Sequence, residues 1–153
     1  AKTIEPDEDY VLPFGKANKV LEADENEIKN GRSLVIITYG MGVFWAKEAA
    51  KIFAGRIEIV DLRTLIPLDE ELIFESVKLH SKCLVLTEEQ IQNSFAEALA
   101  HRITKACFQQ LDAPVEAMGS LNLPAVPINL ILEKEMLPNA EKVAVKIEQM
   151  FAF

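Results

Sequence analysis

Two glycines and one aspartate are the residues whose types and spacing most directly suggest a cofactor site. Gly40 and Gly42 follow the apolar run LVIITY, and Asp61 ends a second apolar run about 20 residues further on. In a dinucleotide-binding domain, such glycines bring the backbone close to a pyrophosphate, and the acid binds the ribose. Trp45 stands where that fingerprint has its third glycine. A nicotinamide-binding oxidoreductase is one hypothesis, but a tight turn between strand and helix accounts for the same glycines.

Polar residues that follow the predicted strands form the second candidate site. Open α/β sheets bind ligands at the carboxyl ends of their strands. The polar residues predicted at that edge are Tyr39, Asp61, Arg63, Glu88 and Glu89. The two glutamates are candidates for an acid/base pair, but adjacent strand residues point to opposite faces, so at most one faces a given site. Solvated or ion-paired carboxylates are the simpler interpretation.

The remaining candidates for chemistry lack partners in the sequence. His80 and Cys83 have half the spacing of a zinc site, but His101 and Cys107 lie on a different predicted element. His80 falls in the last turn of its predicted helix, where the helix dipole favours positive charge, and His101 is expected to face solvent. No nucleophile elbow, phosphate-binding P-loop or H-E-x-x-H motif is present. From the residues alone, we assign no catalytic, cofactor-binding or metal-binding residue.

Strands and helices alternate along the chain. We predict strands at 34–39, 57–61, 83–87 and 114–118, and helices at 43–54, 70–80, 94–110, 128–136 and from the cap at Asn139 onward. Asp69 and Ser94 are predicted to cap the second and third of these helices. Tyr10 to Glu22, interrupted by Pro13 and Gly15, is predicted to be an edge strand or an extended arm. This pattern predicts a three-layer α/β/α sandwich with a mostly parallel five-stranded sheet and one antiparallel edge strand.

Composition limits the possible partners. The formal net charge of −8, from 24 acidic and 16 basic residues, argues against nucleic acid and acidic membrane surfaces as partners. Cys83 and Cys107 lie in apolar segments and are expected to be reduced core residues of an intracellular protein. The acidic start, before any apolar pattern, is typical of a linker. We therefore expect residues 1–15 to be a linker or arm from a missing upstream domain, and residues 16–153 to form one domain.

The run VDLRTLIPLD, residues 60–69, resembles the signature of a known family. It is similar to the carboxy-terminal domain of the beta subunit of thiamine-diphosphate-dependent 2-oxo acid dehydrogenases, which has the transketolase C-terminal fold. Shorter matches are DYVLPFGKA at 9–17, TYG at 38–40, the paired glutamates at 88–89, FAE at 95–97, LE at 132–133 and LP at 137–138. Two positions depart from the family: 90–94 replaces a glycine-rich loop, and Asn122 replaces a common aspartate.

The resemblance implies a domain without its own chemistry. Thiamine diphosphate, magnesium and the catalytic residues would belong to the alpha subunit and to the upstream pyrimidine-binding domain of the parent enzyme. The implied partners are that domain, the alpha subunit or domain, a second beta subunit and the lipoyl acyltransferase core. Phe151 and Phe153, with the terminal carboxylate, are candidates for the acyltransferase contact, unless Phe151 is helix core and Phe153 is frayed. The location implied is the cytoplasm, or the mitochondrial matrix in a eukaryote.

Three functional hypotheses therefore stand. The first is a non-catalytic assembly domain of an enzyme that decarboxylates a 2-oxo acid and transfers the acyl group to a lipoyl group. The second is a stand-alone ligand-sensing or scaffold domain that uses the polar residues at the carboxyl edge of the sheet. The third, the least favoured, is the nicotinamide-binding oxidoreductase. The sequence leaves the identity of the 2-oxo acid open.

Overall fold

The computed structural model describes residues 10–153. Most of the linker predicted at 1–15 lies outside these residues. In chain order the elements are β1 (Asn18–Leu21), α1 (Glu25–Lys29), β2 (Leu34–Thr38), α2 (Met41–Ala50), β3 (Ile57–Asp61), α3 (Glu70–His80), β4 (Cys83–Gln90), α4 (Phe95–Cys107), β5 (Glu116–Ser120), α5 (Leu130–Met136) and α6 (Ala140–Phe151). Within the described part of the chain, no helix has both the length and the apolar character needed to cross a membrane.

The five strands form one sheet in the order β1-β3-β2-β4-β5. β1 pairs antiparallel with β3 at one edge, and the other neighbouring strands are parallel. In the β2–β3 register, Leu34 lies opposite Ile57 and Thr38 opposite Asp61. Every residue of β2 is buried, as expected for a strand with helices on both faces. The predicted sandwich and its single antiparallel edge strand are confirmed.

Two hydrophobic cores lie on opposite faces of the sheet because side chains alternate along each strand. Leu34 and Ile36 of β2 point into the core that α2 and α6 cover, whereas Val35 and Ile37 point into the core under α3 and α4. The helical residues of the first core include Ala46, Ala49, Val143, Ile147 and Met150. Those of the second include Ile73, Val77, Leu99 and Ile103. Each face of the sheet is thus closed by a pair of helices.

The predicted bounds of several elements were wrong. The second helix begins at Met41 and ends at Ala50, not at 43 and 54, because the amides of residues 51–53 bond to carbonyls three residues back and tighten the last turn. β4 extends to Gln90, which pairs with Ser120. β5 begins at Glu116, after Pro114, which has no amide to donate to a ladder. α5 begins at Leu130, where Asn129 caps it, instead of at residue 128.

Candidate functional site

The turn between β2 and α2 uses its glycines for backbone geometry and packing. Gly40 has φ +57°, a conformation that side chains disfavour. A Cβ atom on Gly42 would overlap Oγ1 of the buried Thr38. Helix α2 can therefore lie close to β2 only because residue 42 has no side chain. Trp45 packs against the core beneath α2, and these contacts account for the segment as a strand-to-helix turn.

Asp61 and Arg63 form a tight turn at the carboxyl end of β3. Oδ1 of Asp61 accepts a hydrogen bond of 3.2 Å from the amide of Arg63. Arg63 itself has φ +57°, which is uncommon for a residue with a side chain. Its guanidinium is exposed, and no carboxylate of the described residues lies within ion-pairing distance. The carboxylate is thus engaged with the backbone, while the arginine faces solvent.

The rest of the signature holds residues 15–17, where the amino-terminal arm leads into β1. Oγ1 of Thr64 accepts a hydrogen bond of 2.9 Å from the amide of Gly15 and donates one to the carbonyl of Pro67. Asp69 caps α3 through Oδ1, which accepts from the amide of Leu72, while its Oδ2 accepts from the amide of Ala17 at 3.0 Å. The predicted cap is confirmed. The second bond of Asp69, to the arm, had no signal in the local sequence because it spans a separation of 52 residues.

Tyr39 and Glu89 meet at the carboxyl ends of β2 and β4. The Tyr39 hydroxyl lies 2.8 Å from Oγ1 of Thr87, and its ring packs edge-on against Phe95 with centroids 6.1 Å apart. Burial raises the pKa of Tyr39 above its usual value, the hydrogen bond with Thr87 opposes that shift, and the negative charges of Glu89 and Glu88 add to it. The phenol therefore remains neutral at physiological pH.

The two predicted glutamates have different surroundings, although both are exposed. Oε1 of Glu89 accepts a hydrogen bond of 3.4 Å from the amide of Ala96, in the first turn of α4. Glu88 makes no side-chain hydrogen bond within the described residues and acts on Tyr39 only through its charge. The two adjacent carboxylates therefore differ in their contacts, although both act on Tyr39 through their charge.

The carboxyl edge contributes to none of five surface cavities of about 300 to 430 Å³ found among the described residues, since Tyr39, Asp61, Arg63, Glu88 and Glu89 line none of the five. Nor do the described residues contain a group of three or more His, Cys, Asp or Glu that could hold a metal ion. The arrangement offers a shallow polar surface with one free guanidinium.

The two positions that depart from the family pattern contact each other. The amide of Gln92 donates to Oδ1 of Asn122 at 3.3 Å, and Nδ2 of Asn122 donates to Oε1 of Gln92 at 3.0 Å. Gln90 adds a hydrogen bond of 2.6 Å from Nε2 to the carbonyl of Leu123. In this chain, side-chain amides join the loops that follow β4 and β5.

A buried polar cluster at the opposite, amino edge of the sheet was missed in the sequence. Nδ1 of His80 lies 2.7 Å from Oγ of Ser33, and its Nε2 lies 3.4 Å from Oε2 of Glu58, which also pairs with Nζ of Lys19 at 2.9 Å. Burial would raise the pKa of Glu58, but His80, Ser76 and Lys19 lower it to about 2. The available signal was the spacing of His80 from the buried Ile73 and Val77, which places it on the core face of α3.

The two terminal phenylalanines differ in their environment. Phe151 is half-buried, its ring centroid lies 5.8 Å from that of Phe53, and Cζ of Arg56 lies 3.6 Å from its ring centroid. Its aromatic face is thus already occupied by an arginine of the same chain. Phe153 is 69% exposed and is the more accessible of the two residues predicted to contact a partner.

Comparison with known proteins finds one family model and relatives that are all beta subunits. Residues 24–143 match the family model described as transketolase, C-terminal domain. The chain is 34% identical to the 2-oxoisovalerate dehydrogenase subunit beta of Bacillus subtilis (strain 168), covering 97% of this chain and 44% of that protein. It is also 34% identical to the pyruvate dehydrogenase E1 component subunit beta of Rhizobium meliloti (strain 1021), over 89% of this chain and 28% of that protein.

A third relative and a solved structure agree with this. The acetoin:2,6-dichlorophenolindophenol oxidoreductase subunit beta of Cupriavidus necator is 34% identical, over 91% of this chain and 39% of that protein. The structure described as a split gene transketolase, inactive beta4 tetramer, superposes with a TM-score of 0.72 at 19% identity, over 94% of this chain and 45% of that one. The superposition shows a shared fold. The chain spans less than half the length of each of these proteins.

Proposed function

This chain belongs to the transketolase C-terminal domain family, and from that premise we propose that it is the non-catalytic assembly domain of the decarboxylating component of a 2-oxo acid dehydrogenase. The parent enzyme would decarboxylate a 2-oxo acid on thiamine diphosphate and transfer the acyl group to a lipoyl group. The names of the relatives, all beta subunits, support this class of parent. They differ in substrate, so pyruvate, branched-chain 2-oxo acids and acetoin-type substrates all remain candidates.

The observation that carries the proposal is the use to which the signature residues are put. Asp61, Thr64 and Asp69 direct their side-chain oxygens to backbone groups of this same chain. Two of these bonds hold Gly15 and Ala17, the residues through which the arm joins the domain. Because these hydrogen bonds fix where the preceding chain joins the sheet, the segment is suited to positioning a neighbouring domain upstream.

Thiamine diphosphate and magnesium are proposed to bind elsewhere in the parent enzyme. Magnesium diphosphate sites need free carboxylate or carbonyl oxygens directed at the ion. At the carboxyl edge, Asp61 is bonded to the amide of Arg63 and Glu89 to that of Ala96, and the nearby Asp69 caps α3. These residues do not fit the cofactor. In the parent it would supply the carbanion chemistry, and this domain would border the entrance to that site.

The proposed parent enzyme implies a set of domains, partners and a location for this chain. Residues 1–15 would be the arm from an upstream pyrimidine-binding domain, and residues 16–153 the assembly domain. The alpha subunit or domain, a second beta subunit and the lipoyl acyltransferase core complete the set, and Phe153 is the candidate contact for the acyltransferase core. The expected location is the cytoplasm, or the mitochondrial matrix in a eukaryote.

Calorimetry tests the division of labour. Titrating magnesium and thiamine diphosphate into this chain is expected to give no binding heat, whereas the assembled parent enzyme is expected to bind the cofactor saturably. Reading the gene upstream of the Ala1 codon supplies the second test, with a pyrimidine-binding domain expected in the same frame. Stoichiometric cofactor binding by this chain, or a start codon close to Ala1, would contradict the proposal.

The backbone of Arg63 favours ligand sensing as a second candidate function. A residue with a side chain held at positive φ, with an exposed guanidinium, is a feature that clusters at ligand-binding positions. The Tyr39–Glu89 region would supply the polar surroundings. Nuclear magnetic resonance titration with small carboxylates is the test. Saturable shifts confined to this edge that disappear in Arg63→Gln would support sensing, and the absence of shifts at millimolar ligand would exclude it.

A further inference from the structure

The fold joins two stretches of the chain that contain no acidic residue. Residues 76–87 and 98–111 lack aspartate and glutamate, so all 24 acidic residues of the chain lie outside them. Their basic residues are Lys78, Lys82, Arg102 and Lys105. Because α3 and α4 cover the same face of the sheet, the two stretches form a locally basic region on a chain whose net charge is −8.

Two lysines of this region line one surface cavity. Lys78, in the last turn of α3, and Lys105, in the last turn of α4, border a cavity of about 430 Å³ together with Gln109 and Gln110. Among the described residues, no carboxylate lies within ion-pairing distance of either Nζ atom. Burial raises the pKa of Cys107, and the positive charge of Lys78 opposes that shift, so this lysine acts on the end of α4.

A second cavity, of about 380 Å³, shares the side chain of Phe108 with the first. Its other lining residues are Thr104, Leu111, Asp112, Ala113 and Pro114. The amide of Asp112 donates to the carbonyl of Ser81 at 2.9 Å, which holds this wall against the end of α3. The ring of Phe108 is 73% exposed and separates a cationic cavity from a mainly apolar one. Such a ring offers a face on which a planar group can stack.

We propose that these two cavities bind a nucleoside monophosphate, with the base stacked on Phe108 and the phosphate between Lys78 and Lys105. A phosphate monoester carries a charge of about −1.5 to −2 at pH 7, which two ammonium groups match. The side-chain amides of Gln109 and Gln110 supply further donors. Both cavities have volumes within the range of roughly 300–1,000 Å³ that is usual for small-molecule sites.

The charge distribution favours a single nucleotide over a polynucleotide. The acidic remainder of the chain repels a long polyanion, whereas a mononucleotide contacts only the basic region. None of the residues that line the two cavities belongs to the carboxyl edge of the sheet. The site is therefore separate from the surface used in the proposed assembly function.

Isothermal titration calorimetry of the full chain with adenosine monophosphate tests the site. Saturable binding to one site is expected, with a dissociation constant on the order of 100 µM. Lys105→Gln is expected to weaken binding by about 10-fold, because a charge-assisted hydrogen bond to the phosphate is lost. Lys134→Gln is the matched control and is expected to bind normally, since Lys134 is exposed on α5 and lines neither cavity.

The ligand class is tested with compounds that lack one part of the nucleotide. Adenosine and inorganic phosphate are each expected to bind at least ~10-fold more weakly than adenosine monophosphate. Phe108→Ala is expected to weaken the nucleotide by about 5-fold and to leave phosphate binding unchanged. Magnesium thiamine diphosphate is expected not to bind, because the metal ion offsets the diphosphate charge and the lysines repel the thiazolium cation.

Nuclear magnetic resonance of the unaltered chain tests the location without any variant, and the amide shifts of Phe108, Gln109 and Gln110 are expected to saturate with the nucleotide. The inference would be overturned by the absence of saturable binding at millimolar nucleotide, by shifts confined to other residues, or by equal weakening in Lys105→Gln and Lys134→Gln. Equal affinity for inorganic phosphate, adenosine or magnesium thiamine diphosphate would refute the ligand class. Absence of nucleotide binding would leave the proposed assembly function standing, which separates the two outcomes.

Discussion

Glu58 shows how one residue's surroundings decide its charge. Its side chain is 3% exposed, yet the carboxylate remains ionised because Lys19, His80 and Ser76 surround it. Removing a buried carboxylate from water is costly, and only nearby donors and positive charge make ionisation favourable. The ion pair of Lys19 with Glu58 also joins β1 to β3. Its contribution is to stability, since its carboxylate is closed to solvent.

The first prediction concerns acid stability. The pKa of Glu58 falls from 4.5 to about 2 on folding, so its stabilising effect is full above pH 4.5 and is lost as the pH falls from there through 2. Glu58→Gln is expected to lower the free energy of unfolding at pH 7 by about 3 kcal/mol. Urea unfolding followed across pH 2 to 7 measures both effects.

The matched control is Glu25→Gln. Glu25 forms an exposed ion pair with Lys29 on α1, and such pairs contribute little to stability. The interpretation of Glu58 would be wrong if Glu58→Gln kept the same dependence of stability on pH between 2 and 4.5 as the unaltered chain.

The second prediction concerns Tyr39. Its pKa is raised by burial first, and Glu89 and Glu88 add to the shift. Glu89→Gln is expected to move this pKa down towards the ordinary value of 10.0, because the phenolate would lose a negative neighbour. Absorbance of the tyrosinate measures the change, and Tyr10, the other of the two tyrosines, is an internal reference. Glu133→Gln, on α5, is the control, and an equal shift in both variants would refute a local effect.

At the scale of elements, the β2–α2 connection shows how closely a helix and a strand can approach. Thr38 closes the buried strand and Gly42 lies in the first turn of the helix above it. The contact leaves no space for a side chain at Gly42, and Gly40, two residues earlier, has positive φ. The connection also places Tyr39 at the carboxyl edge, because Tyr39 lies between Thr38 and Gly40.

The third prediction tests this contact. Gly42→Ala is expected to lower the free energy of unfolding by about 1–3 kcal/mol, because the new methyl group overlaps Oγ1 of Thr38. Thr38→Ala removes that atom, so the double variant is expected to be less destabilised than the sum of the two single variants by about 1 kcal/mol or more. Urea unfolding of all four proteins measures the coupling. Additive losses would show that the overlap is not the cause.

At the scale of the whole molecule, the two cores share one sheet. Leu34 and Ile36 pack on one side and Val35 and Ile37 on the other, within a single strand. The sheet therefore cannot keep its register if either helical layer leaves it. The protein is expected to unfold in one cooperative transition.

The fourth prediction tests that cooperativity. Ile147→Ala, on α6, and Ile103→Ala, on α4, remove fully buried side chains from opposite cores, and each is expected to lower the free energy of unfolding by about 2–5 kcal/mol. Trp45, the single tryptophan, packs only on the α2 and α6 side. Its fluorescence is nevertheless expected to follow the far-ultraviolet circular dichroism in both variants. Separate transitions in Ile103→Ala would show that the layers unfold independently.

Local patterns were enough to predict much of this fold. The run LVII, followed by Thr38, is apolar at every position, which is typical of a strand covered on both faces. Asp69, Ser94 and Asn139 were predicted to cap helices and do so, because a cap bond spans three residues and is visible in the local sequence. The short helix α1 was not predicted, and the other errors lie at element ends, such as the last turn of α2, where tertiary packing decides whether another turn forms.

The sequence by itself determined the order of strands and helices, the two-sided burial of β2 and the membership of the signature run in a known family. These follow from period, caps and residue type, all of which are local. Only the tertiary structure decided that Glu58 meets His80, that Asp69 holds Ala17 and that Lys78 and Lys105 line one cavity. Contacts of this kind join residues far apart in the chain, and their existence depends on strand order and register, which short-range patterns do not encode.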